Sequence, residues 1–161
     1  MKLSVLAVTA LVLVSGCDKL TEKLGQKAGE KAVETAAGGD VKVTTGDNGT
    51  VTVVDKKTGT VVQGGTGAVK LPAGWPSNVP IYPGATVRNA VTSTNGKNAT
   101  IATKDPPAKV SDFYKKCGLA LQTDLDMGGQ HMLVFKNGKG TVNVMVSESG
   151  GETMASIAVV D

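Results

Sequence analysis

Closely spaced glycines are the feature that most limits what this chain can fold into. The 161 residues include 21 glycines, which cluster between short segments rich in valine and threonine. Because glycine readily adopts the positive-φ conformations of tight turns, this spacing predicts many short strands joined by turns. We therefore expect an all-β or α+β fold.

Residues 71–161 carry the pattern of one α+β domain. Six strand-like runs are present, and between the second and third lies an apolar stripe with helical i, i+3, i+4, i+7 spacing. Asp105 is expected to cap that helix, with Pro106 at its first position. The order ββαββββ predicts an antiparallel sheet with one helix across one face. The stripe is Val110, Phe113, Tyr114 and Cys117. The runs are residues 86–92, 98–103, 119–125, 132–136, 141–147 and 153–160. The strand residues expected to face the helix are Leu133, Phe135, Val142, Val144, Val146, Ile157 and Val159.

Residues 41–70 have the composition of a small β-meander or linker. Short valine- and threonine-rich runs alternate there with the turn sequences 46–49 and 57–59. The apolar side chains are almost all valine, so three such strands alone would be marginally stable. Two arrangements follow: the segment docks on the C-terminal domain, or it forms a repetitive, partly mobile strip.

An apolar run at the N-terminus, residues 3–14, follows the single positive charge of Lys2. As a helix it would reach only about 18 Å, and a bilayer hydrocarbon core is about 30 Å thick. The run is therefore predicted to be the central part of a signal peptide rather than a membrane span. It ends in Val14-Ser15-Gly16-Cys17.

This ending resembles the lipobox of bacterial lipoproteins. The resemblance implies that residues 1–16 are removed as a signal peptide. It also implies that Cys17 carries thioether-linked diacylglycerol, usually with a third acyl chain such as palmitate on its amine. The protein would then be lipid-anchored in the cell envelope, facing the periplasm. Asp18 resembles an inner-membrane retention signal, which favours the inner over the outer membrane.

Residues 17–40 are predicted to hold the lipid anchor and a tether helix. Residues 19–37 are rich in Ala, Lys, Glu and Leu, and they contain no proline. A solvated spacer of about 30 Å is the favoured interpretation. A helix lying on an anionic membrane surface and a helical oligomer are the alternatives, but the apolar ridge of Leu20, Leu24, Ala28 and Ala32 contains only two leucines.

A proline-rich segment gives a second resemblance. Leu-Pro-Ala-Gly-Trp-Pro-Ser-Asn-Val-Pro-Ile-Tyr-Pro-Gly-Ala, residues 71–85, is similar to a segment of bacterial envelope lipoproteins that have no established activity. In those proteins a Phe-Tyr helix follows, and Phe113-Tyr114 stands in that place here. The resemblance implies architecture and location, and it brings no activity with it.

Two residues have the side chains of a nucleophile and its base. Cys117 is predicted to lie on the buried stripe of the helix, where a free cysteine behaves as a small hydrophobe. His131 is the only histidine, and its place at the start of a strand predicts a surface residue. A reactive thiol at Cys117 and a hydrolase built on His131 are the less favoured alternatives.

Asp124 and Asp126 flank Leu125, so on a strand they share one face. Paired carboxylates can bind a cation or act as an acid and base, but a solvated strand face is the favoured interpretation. No second histidine or thiolate pair has the spacing of a zinc site. We expect neither a metal nor a cofactor.

These patterns predict a non-enzymatic protein. The formal charge of +3 and the aromatic content of 3% argue against nucleic-acid binding. The favoured function is a membrane-anchored interaction module for an envelope protein or component. The first alternative is a carrier of a small ligand or lipid on the sheet face opposite the helix, where Met145, Met154 and Val160 are expected. An enzyme is the less favoured alternative.

Overall fold

The computed structural model describes residues 19–46 and 48–160, with side chains from residue 27 onward. Cys17, Asp18 and the predicted signal peptide lie outside the described residues. Two helices and nine strands are present among those described. The helices are α1 (Lys19–Ala36) and α2 (Pro107–Lys115). The strands are β1 (Val41–Thr45), β2 (Thr50–Asp55), β3 (Val61–Gly65), β4 (Thr86–Ser93), β5 (Gly96–Thr103), β6 (Ala120–Asp126), β7 (Gln130–Asn137), β8 (Gly140–Ser149) and β9 (Glu152–Val160).

One antiparallel sheet contains all nine described strands, in the order β1-β2-β3-β4-β5-β9-β8-β7-β6. The α+β class predicted from the sequence is therefore confirmed. The predicted six-stranded ββαββββ sheet is not matched, because the sheet has nine described strands. Of the two arrangements expected for residues 41–70, the structure shows the one docked on the C-terminal domain. Strand β3 pairs with β4, where Val62 stands opposite Val91, so the meander strands extend the same sheet. Pairing with β4 supplies hydrogen-bond partners for the outer edge of β3. The three short valine-rich strands would be marginally stable without it.

The core lies between α2 and the strands β7, β8 and β9. Alternate residues of these strands face the helix, as the period of two requires. All seven strand residues predicted to face the helix are buried, together with Val110 and Tyr114 from α2. Tyr114, Phe135 and Ile101 are the largest of the fully buried side chains. The core beneath α2 is therefore filled by the protein's own side chains.

Helix α2 differs from the prediction at both ends. Pro106 is its N-cap and makes no side-chain cap hydrogen bond, so Asp105 does not cap the helix and the first helical residue is Pro107. The helix ends at Lys115, which leaves Cys117 in the bend that follows. Cys117 is half-buried against the core rather than part of the helical stripe.

The proline-rich segment is fastened to the same core. Val79 and Tyr82 are buried, and the Trp75 indole N–H donates a hydrogen bond to the carbonyl of Val79 at 2.9 Å. The hydroxyl of Tyr82 donates to Asp105 at 2.6 Å, which ties the segment to the approach to α2. The four prolines keep this path extended, so the anchoring comes from aromatic side chains rather than regular backbone pairing.

Helix α1 packs along β1, at one edge of the sheet. It was predicted as a solvated spacer, but its second half is in contact with the folded domain. No described helix is long and apolar enough to cross a membrane.

Candidate functional site on the open face of the sheet

The sheet has one face covered by α2 and an open face on the other side. On β7, β8 and β9 the open-face positions alternate with the buried ones, and several carry methionine. Met132 pairs with Met145 across β7 and β8, and Leu125 pairs with Met132 across β6 and β7. The exposed fraction is 45% for Leu125 and 39% for Met145. Large apolar side chains therefore meet solvent on adjacent strands.

We name Leu125, Met132, Met145 and Met154 the methionine patch. Met154 lies on the same face, where it pairs with Ser147 on one side and Ala102 on the other. Methionine has a flexible, polarizable side chain that adapts to ligands of irregular shape. Polar open-face residues border the patch, including Ser156, which accepts a hydrogen bond from Asn98 at 3.0 Å. The face is thus amphipathic rather than uniformly apolar.

A groove of about 410 Å³ opens at the start of β4, beside Met154. Arg88 projects into it, and this is the single arginine of the chain. The β4–β5 register shifts between Val87 and Asn89, so Arg88 occupies a β-bulge. Bulges redirect side chains out of the regular alternation of a strand. The lining residues are Pro83, Gly84, Thr86, Arg88, Ala102, Thr103, Lys104, Asp105 and Glu152.

Opposite charges meet loosely in this groove, which we call the Arg88 groove. The Arg88 Nη2 atom lies 3.5 Å from Glu152 Oε2, and 37% of each side chain is exposed. A contact this long between exposed groups contributes little to stability. Lys104 also lines the groove and has no ion pair within the described part of the chain. Two cationic side chains are therefore available at its surface.

The acidic side chain of Asp105 is engaged elsewhere. It accepts the Tyr82 hydroxyl, and Lys109 Nζ contacts both of its carboxylate oxygens at 3.0 Å. The hydrogen bonds from Tyr82 and then Lys109 lower the pKa of Asp105 below its ordinary value. The same bond raises the pKa of Tyr82, because phenolate formation beside a carboxylate is unfavourable. Asp105 thus carries a charge that Lys109 offsets.

The structure brings together Asp124 and His131, two of the residues singled out in the sequence. His131 Nε2 contacts Asp124 Oδ1, and Lys115 Nζ lies 2.8 Å from Asp124 Oδ2. The contacts from Lys115 and then His131 lower the pKa of Asp124. His131 is partly exposed near the start of β7, and its ring contacts Asp124. The cluster links α2 to the edge strand β6.

The other two candidates stand apart from this cluster. Asp126 accepts the backbone N–H of Gly128 at 2.9 Å, which is a turn contact. Cys117 donates its backbone N–H to the Tyr114 carbonyl, and no hydrogen bond joins its thiol to His131 among the residues described. No group of three potential metal ligands exists among the side chains that the structure describes, those of residues 27–46 and 48–160.

Sequence reasoning missed Arg88, Lys104 and Glu152. The solitary arginine was a usable signal, since arginine suits recognition of carboxylates and phosphates better than lysine does. The β-bulge that orients Arg88 has no local sequence signature. Nor does the position of Glu152 on β9 beside it.

Comparison with known proteins bears on this same region. A family model described as START domain-like matches residues 85–152. This segment is similar to that family. The match covers less than half of the chain and includes Arg88, Lys104 and Glu152. It also includes Leu125, Met132 and Met145, while Met154 lies two residues beyond its end. No curated protein and no solved structure matches the chain.

Proposed function

We propose that the chain is a lipid-anchored envelope lipoprotein whose α+β domain is a non-catalytic module that binds a small amphipathic ligand. The single observation that carries the ligand-binding part is the position of the methionine patch beside the Arg88 groove on the open face. Apolar surface with a few polar groups at its margin is the usual composition of a small-molecule site.

Two further observations support a ligand on this face. Met145 and Val160 are exposed and Met154 is half-exposed, as a carrier that uses the open face requires. The START domain-like match over residues 85–152 fits a fold that binds lipids or other ligands. The core under α2 is closed to a ligand, because Leu133, Phe135 and Val142 fill it.

The anchor rests on the lipobox Val14-Ser15-Gly16-Cys17. Two or three acyl chains bind a bilayer stably, where one does not. Cys17 would thereby be removed from disulfide chemistry, and Cys117 would stay a single thiol. Mass spectrometry of the mature N-terminus tests this proposal: an unmodified Cys17, or cleavage at another bond, would exclude it. Membrane fractionation of the native protein and of a D18S variant tests the proposed inner-membrane location.

A second candidate function is docking of another envelope protein on the open face. It is favoured by the spread of exposed apolar side chains beyond the patch, with Val160 at 41% exposure on the same face. Crosslinking in the native envelope followed by pulldown tests it. Loss of a specific crosslinked partner in M145K, with retention in V33K on α1, would support protein docking in place of a small ligand.

No catalytic role is proposed for Cys117 or His131. The C117A/H131A double variant is expected to bind the ligand as the native chain does and to complement a deletion phenotype fully. Loss of complementation with the fold intact would point to an enzyme instead.

A further inference from the structure

We infer that the ligand is an anionic amphipath, whose phosphate or carboxylate head group binds Arg88 while its apolar chain lies across the methionine patch. This inference rests on the proposed function and specifies its ligand class. The occupant it commits to is a lipid rather than a free anion or a protein.

The first argument is the distance between the two parts. From β4 the sheet runs through β5 to β9, so the strands that carry Arg88 and Met154 are two strand spacings apart, about 10 Å. Met154 is the diagonal neighbour of Met145, at roughly 7–8 Å. A linear chain of moderate length therefore spans the groove and the patch together.

The second argument is the chemistry of Arg88. A guanidinium presents a planar set of donors that matches two oxygens of a carboxylate or phosphate, which is the reason arginine is used for such groups. Its present partner, Glu152, is 3.5 Å away and reached by one nitrogen only. An anionic head group that makes two short bonds replaces this contact at small cost.

The third argument is the local charge. Arg88, Lys104 and Lys109 outnumber Glu152 and Asp105 at the groove and its margin. Asp105 is already neutralised by Lys109, so the remaining carboxylate near Arg88 is that of Glu152. Glu152 then acts as a competitor for Arg88, and its removal is predicted to improve binding rather than to weaken it.

The test uses the mature chain, residues 17–161, with C17S to exclude the proposed lipid. Dodecyl phosphate and dodecyl maltoside are each titrated below their critical micelle concentrations, and inorganic phosphate is titrated in parallel. The methyl NMR signals of Met132, Met145 and Met154 are followed. We expect dodecyl phosphate to bind about tenfold more tightly than dodecyl maltoside, since a charge-assisted pair contributes on that scale. Both are expected to shift the methionine signals.

Three variants test the assignment of the head group. R88Q should weaken dodecyl phosphate binding about tenfold and leave dodecyl maltoside unchanged, while E152Q should tighten dodecyl phosphate about threefold. K139Q removes an equal charge from the distant β7–β8 turn and should change neither. Misfolding cannot produce opposite effects in R88Q and E152Q.

Each negative result excludes a different part of the proposal. Equal binding of the phosphate and maltoside in the native chain, or an unchanged R88Q, overturns the anionic head group and leaves the proposed function standing. Binding of inorganic phosphate as tightly as dodecyl phosphate overturns the amphipath. Absence of any methionine shift with either detergent overturns the proposed function itself.

Discussion

The Glu34 carboxylate accepts a hydrogen bond from the backbone N–H of Val43 at 2.9 Å. Glu30, one helical turn earlier, accepts from the N–H of Thr45 in the same way. Four residues of helix rise about 6 Å and two residues of strand about 6.6 Å, so glutamates at i, i+4 match alternate outward amides. Helix α1 thus caps an edge strand that otherwise offers free donors to another chain.

Removing these carboxylates should open the β1 edge. In E30A/E34A we expect faster hydrogen exchange at Val43 and Thr45, because each amide loses a bond to a charged acceptor, worth on the order of 1.5–3 kcal/mol. Hydrogen exchange read by NMR measures this directly. The control is E148A, at the far end of β8, which should leave both amides protected. Unchanged protection in the double variant would mean that these bonds do not hold the edge.

Truncating Phe135 should strongly destabilise the domain. This side chain is fully buried under α2, and replacing it with alanine leaves a cavity that costs about 3–5 kcal/mol. Urea unfolding of F135A measures the loss of free energy of unfolding. V160A, at an exposed position on β9, should change it by less than about 1 kcal/mol. A small effect in F135A would contradict the assignment of the core.

Protonation of Asp105 should lower the free energy of unfolding at acid pH. Its pKa is lowered in the folded state by hydrogen bonds from Tyr82 and Lys109, so its contribution is fully present above the ordinary value of 3.8. That contribution is lost as the pH falls through the lowered folded value, because protonation breaks the charged contacts. Carboxyl NMR titration should show the pKa of Asp105 moving back toward 3.8 in Y82F. The exposed Asp112 supplies a control, since D112N should leave the Asp105 titration unchanged.

Two glycines with positive φ should differ in their sensitivity to alanine. Gly96 begins β5 with φ 145°, and a Cβ there would meet the Val159 carbonyl oxygen at 2.2 Å. Gly138 has φ 62°, and a Cβ there would meet open space. We expect G96A to lower the free energy of unfolding by about 3 kcal/mol and G138A by about 1 kcal/mol. Equal losses of free energy of unfolding in G96A and G138A would contradict the close approach of Gly96 to the Val159 backbone.

The strands and the core face could be predicted because the responsible pattern is local. Val142, Val144 and Val146 occupy every second position of one run, and this period places them on one face whatever sheet they join. The end of α2 was less predictable. Helix boundaries depend on which competing contacts form, and Asp105 bonds to Tyr82, which is 23 residues away, instead of capping the helix.

The candidate site was only partly predictable. Asp124 and His131 were singled out as side chains capable of chemistry, but their pairing depends on the register of β6 and β7 and on Lys115 from α2. Arg88 acquires its position from a bulge, and Glu152 comes beside it across 64 residues of chain. Contacts between residues so far apart in the chain produce no repeating pattern in the sequence of either segment.

The sequence by itself determined the α+β class and the apolar positions that become the core, because both depend on neighbouring residues. It also contains the motif on which the proposed anchor at Cys17 rests. The tertiary structure alone decided that β1–β3 continue the same sheet, that α1 covers its edge, and that a groove with the single arginine opens beside the methionine patch. These features depend on hydrogen bonds and charges between segments far apart in the chain, and only the folded sheet brings those segments into contact.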